Sequence, residues 1–192
     1  MTYPVTPKFS AIEVKSIDPT LISESINGRT QSRKMGSQKW EFSASYPPLT
    51  RAEFQPVSAY VDSLRGRHTV FTVVPTEISS TAGANVSGVV TSTGAVAVGI
   101  SSIAVTGLTG TLKAGDFVKF ASHDKVYRLT ADRASNGTVA IVPPLVAAVS
   151  SSEQLIYSDV PFTVRLKNDV QSYSIGTDML HKFEVDFIEA LS

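Results

Sequence analysis

Three histidines, His68, His123 and His181, are the side chains best suited to proton transfer near neutral pH. They lie far apart in sequence and share no metal-ligand spacing, so each reads as a surface or strand-edge histidine. His123 is followed by Asp124 in SHDK, a possible base with its orienting carboxylate. Neighbours along a strand or turn point apart, however, and the pair reads better as a polar hairpin tip. Asp116, in AGDFVKF, could ligate a metal, but it follows Gly115 and reads as a turn residue. The chain has no Gly-rich phosphate loop ending in Lys-Ser/Thr, no G-x-S-x-G elbow and no H-E-x-x-H. With 0 cysteines, disulfides and thiolate metal sites are excluded. No catalytic residue, cofactor or metal is expected.

The charged residues carry a different signal. Arg29, Arg33, Lys34 and Lys39 form a basic run without an intervening acid. Residues 29–67 hold seven bases and three acids, whereas residues 153–192 hold three bases and seven acids, among them Asp178, Glu184, Asp186 and Glu189. Opposite charge in two separated regions suits a head-to-tail contact between identical subunits. These eight residues are the candidate subunit-interface positions. The whole chain balances 17 bases against 17 acids, which argues against a nucleic-acid binder.

The elements that would position these groups are mostly strands. Ile12 and Val14 alternate with Glu13 and Lys15, and Trp40, Phe42, Ala44 and Tyr46 share one face of QKWEFSASY. The latter reads as a half-buried strand. Residues 23–37 are polar, with Asn27-Gly28 as a turn. A helix follows the capping box Thr50-x-x-Glu53, with Phe54, Val57, Val61 and Leu64 as its apolar stripe and Gly66 as a stop. Pro56 implies either a separate first turn or a start near Gln55. Thr69–Val74 reads as a strand.

From Ile78 to Leu112 there is no charged residue across 35 positions, and 18 of them are Gly, Ser or Thr. No run there reaches the ~20 apolar residues of a membrane helix. Val96, Val98 and Ile100 alternate, as do Ile103 and Val105, and DFVKF, KVYRLT and TVAIV continue the series with Asn136-Gly137 as a hairpin turn. Phe162/Val164/Leu166, Tyr173/Ile175 and Phe183/Val185/Phe187 give three more strands. The predicted fold is mainly β: a body of residues 1–76 and 159–192 with one flanking helix, and an inserted small β-barrel at 77–158. Asn85-Val-Ser87 and Asn136-Gly-Thr138 match the glycosylation pattern, but MTYPVTPKFSAIE lacks a secretory signal, so synthesis in a cytoplasm is expected.

The run WEFSASYPPLTRAEFQPVSAYVDSLRGRHTVFTVVP resembles the body of tailed-phage distal tail proteins. LKAGDFVKFASHDKVYRLTAD and NGTVAIVPPL resemble the β-barrel module found within them, and VPFTVRLKNDVQSYSIG and FEVDFIEAL complete the likeness. The matched segments cover most of residues 38–192. The resemblance implies a tail-tube-like sandwich, and a structural virion protein forming a hexameric ring at the tip of a long non-contractile tail. Such a ring joins the tail tube to the baseplate hub, carries fibres or receptor-binding proteins, and passes DNA through its channel without specific binding or membrane insertion. The insert would sit at the ring's periphery. Arg29, Arg33 and Lys34 are then expected to face a neighbour, since cations lining a DNA channel would stall passage. Other readings are a carbohydrate-binding module, disfavoured by a single Trp and few aromatics in the insert, and a tail-tube or tail-completion protein. An enzyme ranks last.

Overall fold

A computed structural model of the protein describes residues 2–83 and 85–191. In chain order the elements are β1 (Ala11–Ile17), β2 (Thr20–Glu24), β3 (Thr30–Lys34), β4 (Lys39–Ser45), α1 (Arg51–Ser63) and β5 (Phe71–Val73). They continue with β6 (Val90–Ser92), β7 (Ser102–Thr106), β8 (Thr111–Leu112), β9 (Phe117–Phe120), β10 (Val126–Leu129) and β11 (Arg133–Ala134). The last are β12 (Gly137–Val142), β13 (Gln154–Ile156), β14 (Phe162–Leu166), β15 (Tyr173–Ile175) and β16 (His181–Glu189). Strand makes up 42% of the chain, so the protein is mainly β, with α1 as the one α-helix among the described residues. No helix among those residues is long and apolar enough to cross a membrane.

Contacts divide the chain into two compact units. One comprises residues Pro4–Val70 and Val164–Glu189; the other centres on Phe71–Thr163. In the first, β1, β4, β16 and β14 lie side by side, antiparallel throughout. Period-two alternation explains the sheet. Trp40, Phe42, Ala44 and Tyr46 of the β4 segment are buried together with Phe183, Val185 and Phe187 of β16, and the register sets Phe42 opposite Phe187. The second face of β4 is not fully open, as a half-buried strand would require. Glu41 is buried there, and its carboxylate lies 2.7 Å from the Lys167 ammonium. That hydrogen bond, with the nearby Glu41 and Asp186 charges, raises the pKa of Lys167.

Helix α1 begins where the capping box places it. The Glu53 carboxylate accepts the Thr50 backbone N–H at 3.0 Å and its hydroxyl at 2.7 Å, which holds Glu53 below its usual pKa. Phe54, Val57, Val61 and Leu64 are all buried. Pro56 neither divides the helix nor delays its start. It lies on the exposed face, where the carbonyl one turn earlier can turn to water in place of the missing N–H. The helix stops through two left-handed residues, Arg65 (φ 54) and Gly66 (φ 64), and Asp169 then accepts the Arg67 N–H at 3.0 Å.

In the second unit, β10, β12, β7, β6, β13 and β9 close into a barrel. Its core gathers Val90, Ile103, Val105, Leu112, Val118, Phe120, Tyr127, Leu129, Val139, Ile141 and Leu155. The Ser/Thr/Gly content of the uncharged span matches a small barrel, in which chains cross closely. A Cβ on Gly88 would lie 2.2 Å from the Gly107 carbonyl oxygen, and one on Gly107 2.1 Å from that of Val89. Two sequence expectations fail locally. Val96–Ile100 is no strand: only Val96 makes a bridge, to Val149, and the chain then turns through Gly99, leaving Val98 and Ile100 exposed. Asn136-Gly137 is no simple hairpin turn, because β10 and β12 are joined by a longer path through β11. Its amide oxygen instead accepts the Leu108 N–H at 3.0 Å.

Candidate assembly surface

The basic run is carried by a hairpin. β2 and β3 pair antiparallel from Thr20↔Lys34 to Glu24↔Thr30. Asn27-Gly28 makes the turn, with Gly28 at φ +72, its N–H bonded to the Ser25 carbonyl, and the Ser25 N–H bonded to the Arg29 carbonyl. Every residue of both strands is exposed. Alternation therefore has nothing to act on, and the sequence marks the turn without marking the strands. Arg29, Arg33 and Lys34 are exposed and Lys39 is half-buried at the start of β4. Lys34 pairs with Asp18 at 3.2 Å, an exposed pair worth ~0–1 kcal/mol. The hairpin also presents bare apolar side chains, Leu21, Ile22 and Ile26, with Met35 just beyond it. A two-stranded hairpin with neither face covered is marginal in water.

The acidic positions divide into three environments. Asp178 is exposed in the turn between β15 and β16, where its carboxylate accepts the Leu180 N–H at 3.2 Å. Glu184 and Asp186 project from the outer face of β16 beside Ser43. Its hydroxyl donates a short hydrogen bond to Asp186 and lies 3.4 Å from Glu184, while Asn168 donates to Asp186 at 3.3 Å. Glu189, by contrast, is 1% exposed and accepts the Trp40 N–H at 3.1 Å. Two residues beyond Phe187, it shares that residue's core face, a placement that the alternation of FEVDFIE already encodes. A buried carboxylate holding a backbone donor is internal structure, so Glu189, unlike Asp178, Glu184 and Asp186, does not present its charge at the surface.

The chemistry-bearing residues are likewise structural. The expectation was of surface or strand-edge histidines: His68 is exposed and His181 opens β16, but both His123 and His181 are buried. His123 points into the barrel, its Nδ1 2.9 Å from the Tyr127 hydroxyl and its Nε2 3.2 Å from the Ala148 carbonyl. The Val146 N–H donates to that hydroxyl at 3.2 Å. If the tyrosine hydroxyl donates to Nδ1, the ring carries its proton on Nε2 and every polar atom of the set is matched. Asp124 turns the other way and accepts from the Thr163 hydroxyl at 3.2 Å, so no base–orienter pair forms. Asp116 does sit in a turn, and it is also buried. Its carboxylate accepts the Ala82 and Lys113 N–H groups at 2.9 Å and a short bond from the Thr81 hydroxyl, fastening residues 81–83 to the start of β9. Among the described residues no group of three or more His, Cys, Asp or Glu is placed to hold a metal.

Helix α1 and β15 enclose a concave surface of the first unit. Phe54, buried on α1, stacks on His181 at 4.6 Å and meets Tyr173 of β15 at 4.7 Å. Above this floor is a groove of ≈ 540 Å³ whose walls include Tyr173, Ile175 and Met179, all exposed. β15 pairs with β16 alone among the described strands, and both alternating side chains predicted for it, Tyr173 and Ile175, remain uncovered.

Residues 80–160 match the family model described as distal tail protein pb9, B domain. Distal tail protein pb9 of Escherichia phage T5 is 27% identical over 175 aligned residues, covering 83% of this chain and 80% of that protein. The chain is similar to a phage distal tail protein over most of its length. The match extends well beyond the barrel, so the body sheet and α1 take part in the likeness.

Proposed function

We propose that this chain forms a closed ring, a hexamer, at the distal end of a long non-contractile phage tail. The ring joins the tail tube to the baseplate hub and carries fibres or receptor-binding proteins, and DNA passes through its channel without specific binding. Residues 1–76 and 159–192 act as the tail-tube-like ring body and 77–158 as an inserted barrel module. The observation that carries this reading is a similarity to a distal tail protein spanning 83% of the chain. The surface chemistry supports it. Arg29, Arg33, Lys34 and Lys39 offer cations in one region while Asp178, Glu184 and Asp186 offer anions in another, and the two sets suit a head-to-tail contact. A ring subunit requires such complementary surfaces, about 800 Å² per partner, and no reaction centre.

The test is native mass spectrometry of the purified full chain, with class averages from negative-stain images of the same sample. A six-subunit species with six-fold projections is expected. A monomer at high concentration, both alone and in the presence of tail-tube protein, contradicts the proposal.

A further inference from the structure

The groove between α1 and β15 and the β2–β3 hairpin are two uncovered surfaces of the same unit, and each has what the other lacks. We infer that the groove of one copy receives the β2–β3 hairpin of the next copy, an inference that rests on the ring reading above and names the contact that closes it. The groove is mostly apolar and aromatic, with Phe54, Tyr173, Ile175, Met179 and the stacked ring of His181, and is edged by polar residues of α1. The Nδ1 of His181 is buried with no hydrogen-bond partner in a single copy. Opposite this stands a hairpin whose Leu21, Ile22 and Ile26 have no cover of their own.

Dimensions agree. Five-residue strands span roughly 17 Å and the 13-residue α1 about 20 Å, so the hairpin can lie along the helix for its whole length. Charge agrees as well. Arg29, Arg33 and Lys34 outnumber the hairpin's single acid, Glu24, with Arg33 and Lys34 on opposite faces, while Asp62 lines the groove and Asp178 flanks Met179; Arg51 is the one cation among the lining residues. Hairpin and groove within one copy do not cover each other, since every strand residue of the hairpin and the Tyr173, Ile175 and Met179 walls are all exposed. A contact of hairpin into groove joins two different surfaces. It is therefore heterologous and propagates around a ring until it closes.

The absence of native cysteine makes a covalent test clean. Four full-length double variants pair Ile22→Cys or Ile26→Cys with Ile175→Cys or Met179→Cys, and are oxidised and mapped by peptide mass spectrometry. A disulfide forms only where Cα atoms approach within about 7 Å. Seating of the hairpin predicts at least one double variant that ladders to the full ring on a non-reducing gel, while an equal mixture of the matching single variants stops at a hairpin–groove dimer. A ring seen by native mass with no hairpin–groove disulfide in any of the four variants overturns this inference and leaves the ring reading standing. Absence of both ring and cross-link overturns both. As a second readout, Arg29→Glu with Arg33→Glu should lower the assembled fraction at least tenfold, and adding Asp62→Lys with Asp178→Lys should restore it. Failure of that restoration, with the ring otherwise intact, also counts against the docking.

Discussion

Replacing Asp116 with alanine tests whether the barrel depends on a single buried carboxylate. Three donors converge on this side chain: the Ala82 and Lys113 backbone N–H groups, both at 2.9 Å, and the Thr81 hydroxyl. A hydrogen bond to a charged group contributes ~1.5–3 kcal/mol, so three bonds set an upper bound of about 4.5–9 kcal/mol. Thr81 is only half-buried and Ala82 is exposed, so in the variant water re-solvates their donors and recovers most of that sum. The Lys113 donor belongs to the tight turn whose Asp116 N–H bonds to the Lys113 carbonyl at 3.1 Å, and that turn persists. The expected net loss is about 2–4 kcal/mol, the range for breaking a buried hydrogen-bonded set. Amide hydrogen exchange of barrel peptides covering residues 81–83 and 112–117 reads it locally. By the relation of ~1.4 kcal/mol per factor of ten, exchange there should accelerate about 30- to 700-fold. Asp116→Asn keeps the shape and part of the accepting capacity, so it should fall between alanine and the parent. Protection within threefold of the parent in the alanine variant would refute the reasoning, since it would mean that residues 81–83 are held without this clamp.

Further expectations follow from single contacts. Tyr127→Phe removes the hydroxyl shared by His123 and the Val146 N–H, and should cost ~1–3 kcal/mol in urea unfolding of the barrel; no change would mean that water replaces it. Phe54→Ala empties the site that anchors α1 against Tyr173, His181 and Phe183, and should cost ~3–5 kcal/mol, read by the urea midpoint of Trp40 fluorescence. Lys167 has a raised pKa, from its hydrogen bond with Glu41 and then from the Glu41 and Asp186 charges. Its contribution is complete below the unfolded lysine value of ~10.4 and disappears as pH climbs through the higher folded value. The urea midpoint should therefore decline in that alkaline window, and Glu41→Gln should lessen the decline; an unchanged slope would contradict the assignment.

Where a strand buries one face, its residues announce it. Trp40, Phe42, Ala44 and Tyr46 on β4, and Phe183, Val185 and Phe187 on β16, alternate because the core accepts every second side chain. The stripe and capping box of α1 are legible for the same reason, since spacing and end chemistry both follow from one buried face. The β2–β3 hairpin was legible only at Asn27-Gly28, because strands exposed on both faces impose no period. β6 and β13 are three residues each, too short for alternation to separate from chance, and they hold their places through barrel closure. Val96, Val98 and Ile100 show the converse: an alternating triad without a strand, whose last two members remain exposed. Of the interface candidates, the charge asymmetry was visible from composition, whereas the burial of Glu189 required extending the β16 alternation by two residues. His123 reads inward only once Tyr127, four residues on, is known to lie in the barrel core.

The central claim is most directly tested by cryo-electron microscopy of the intact virion at a resolution that traces side chains. Density for this chain should encircle the far end of the tail, in contact with the last ring of the tail tube. Density for it at the head, along the tube or only in a fibre would contradict the account.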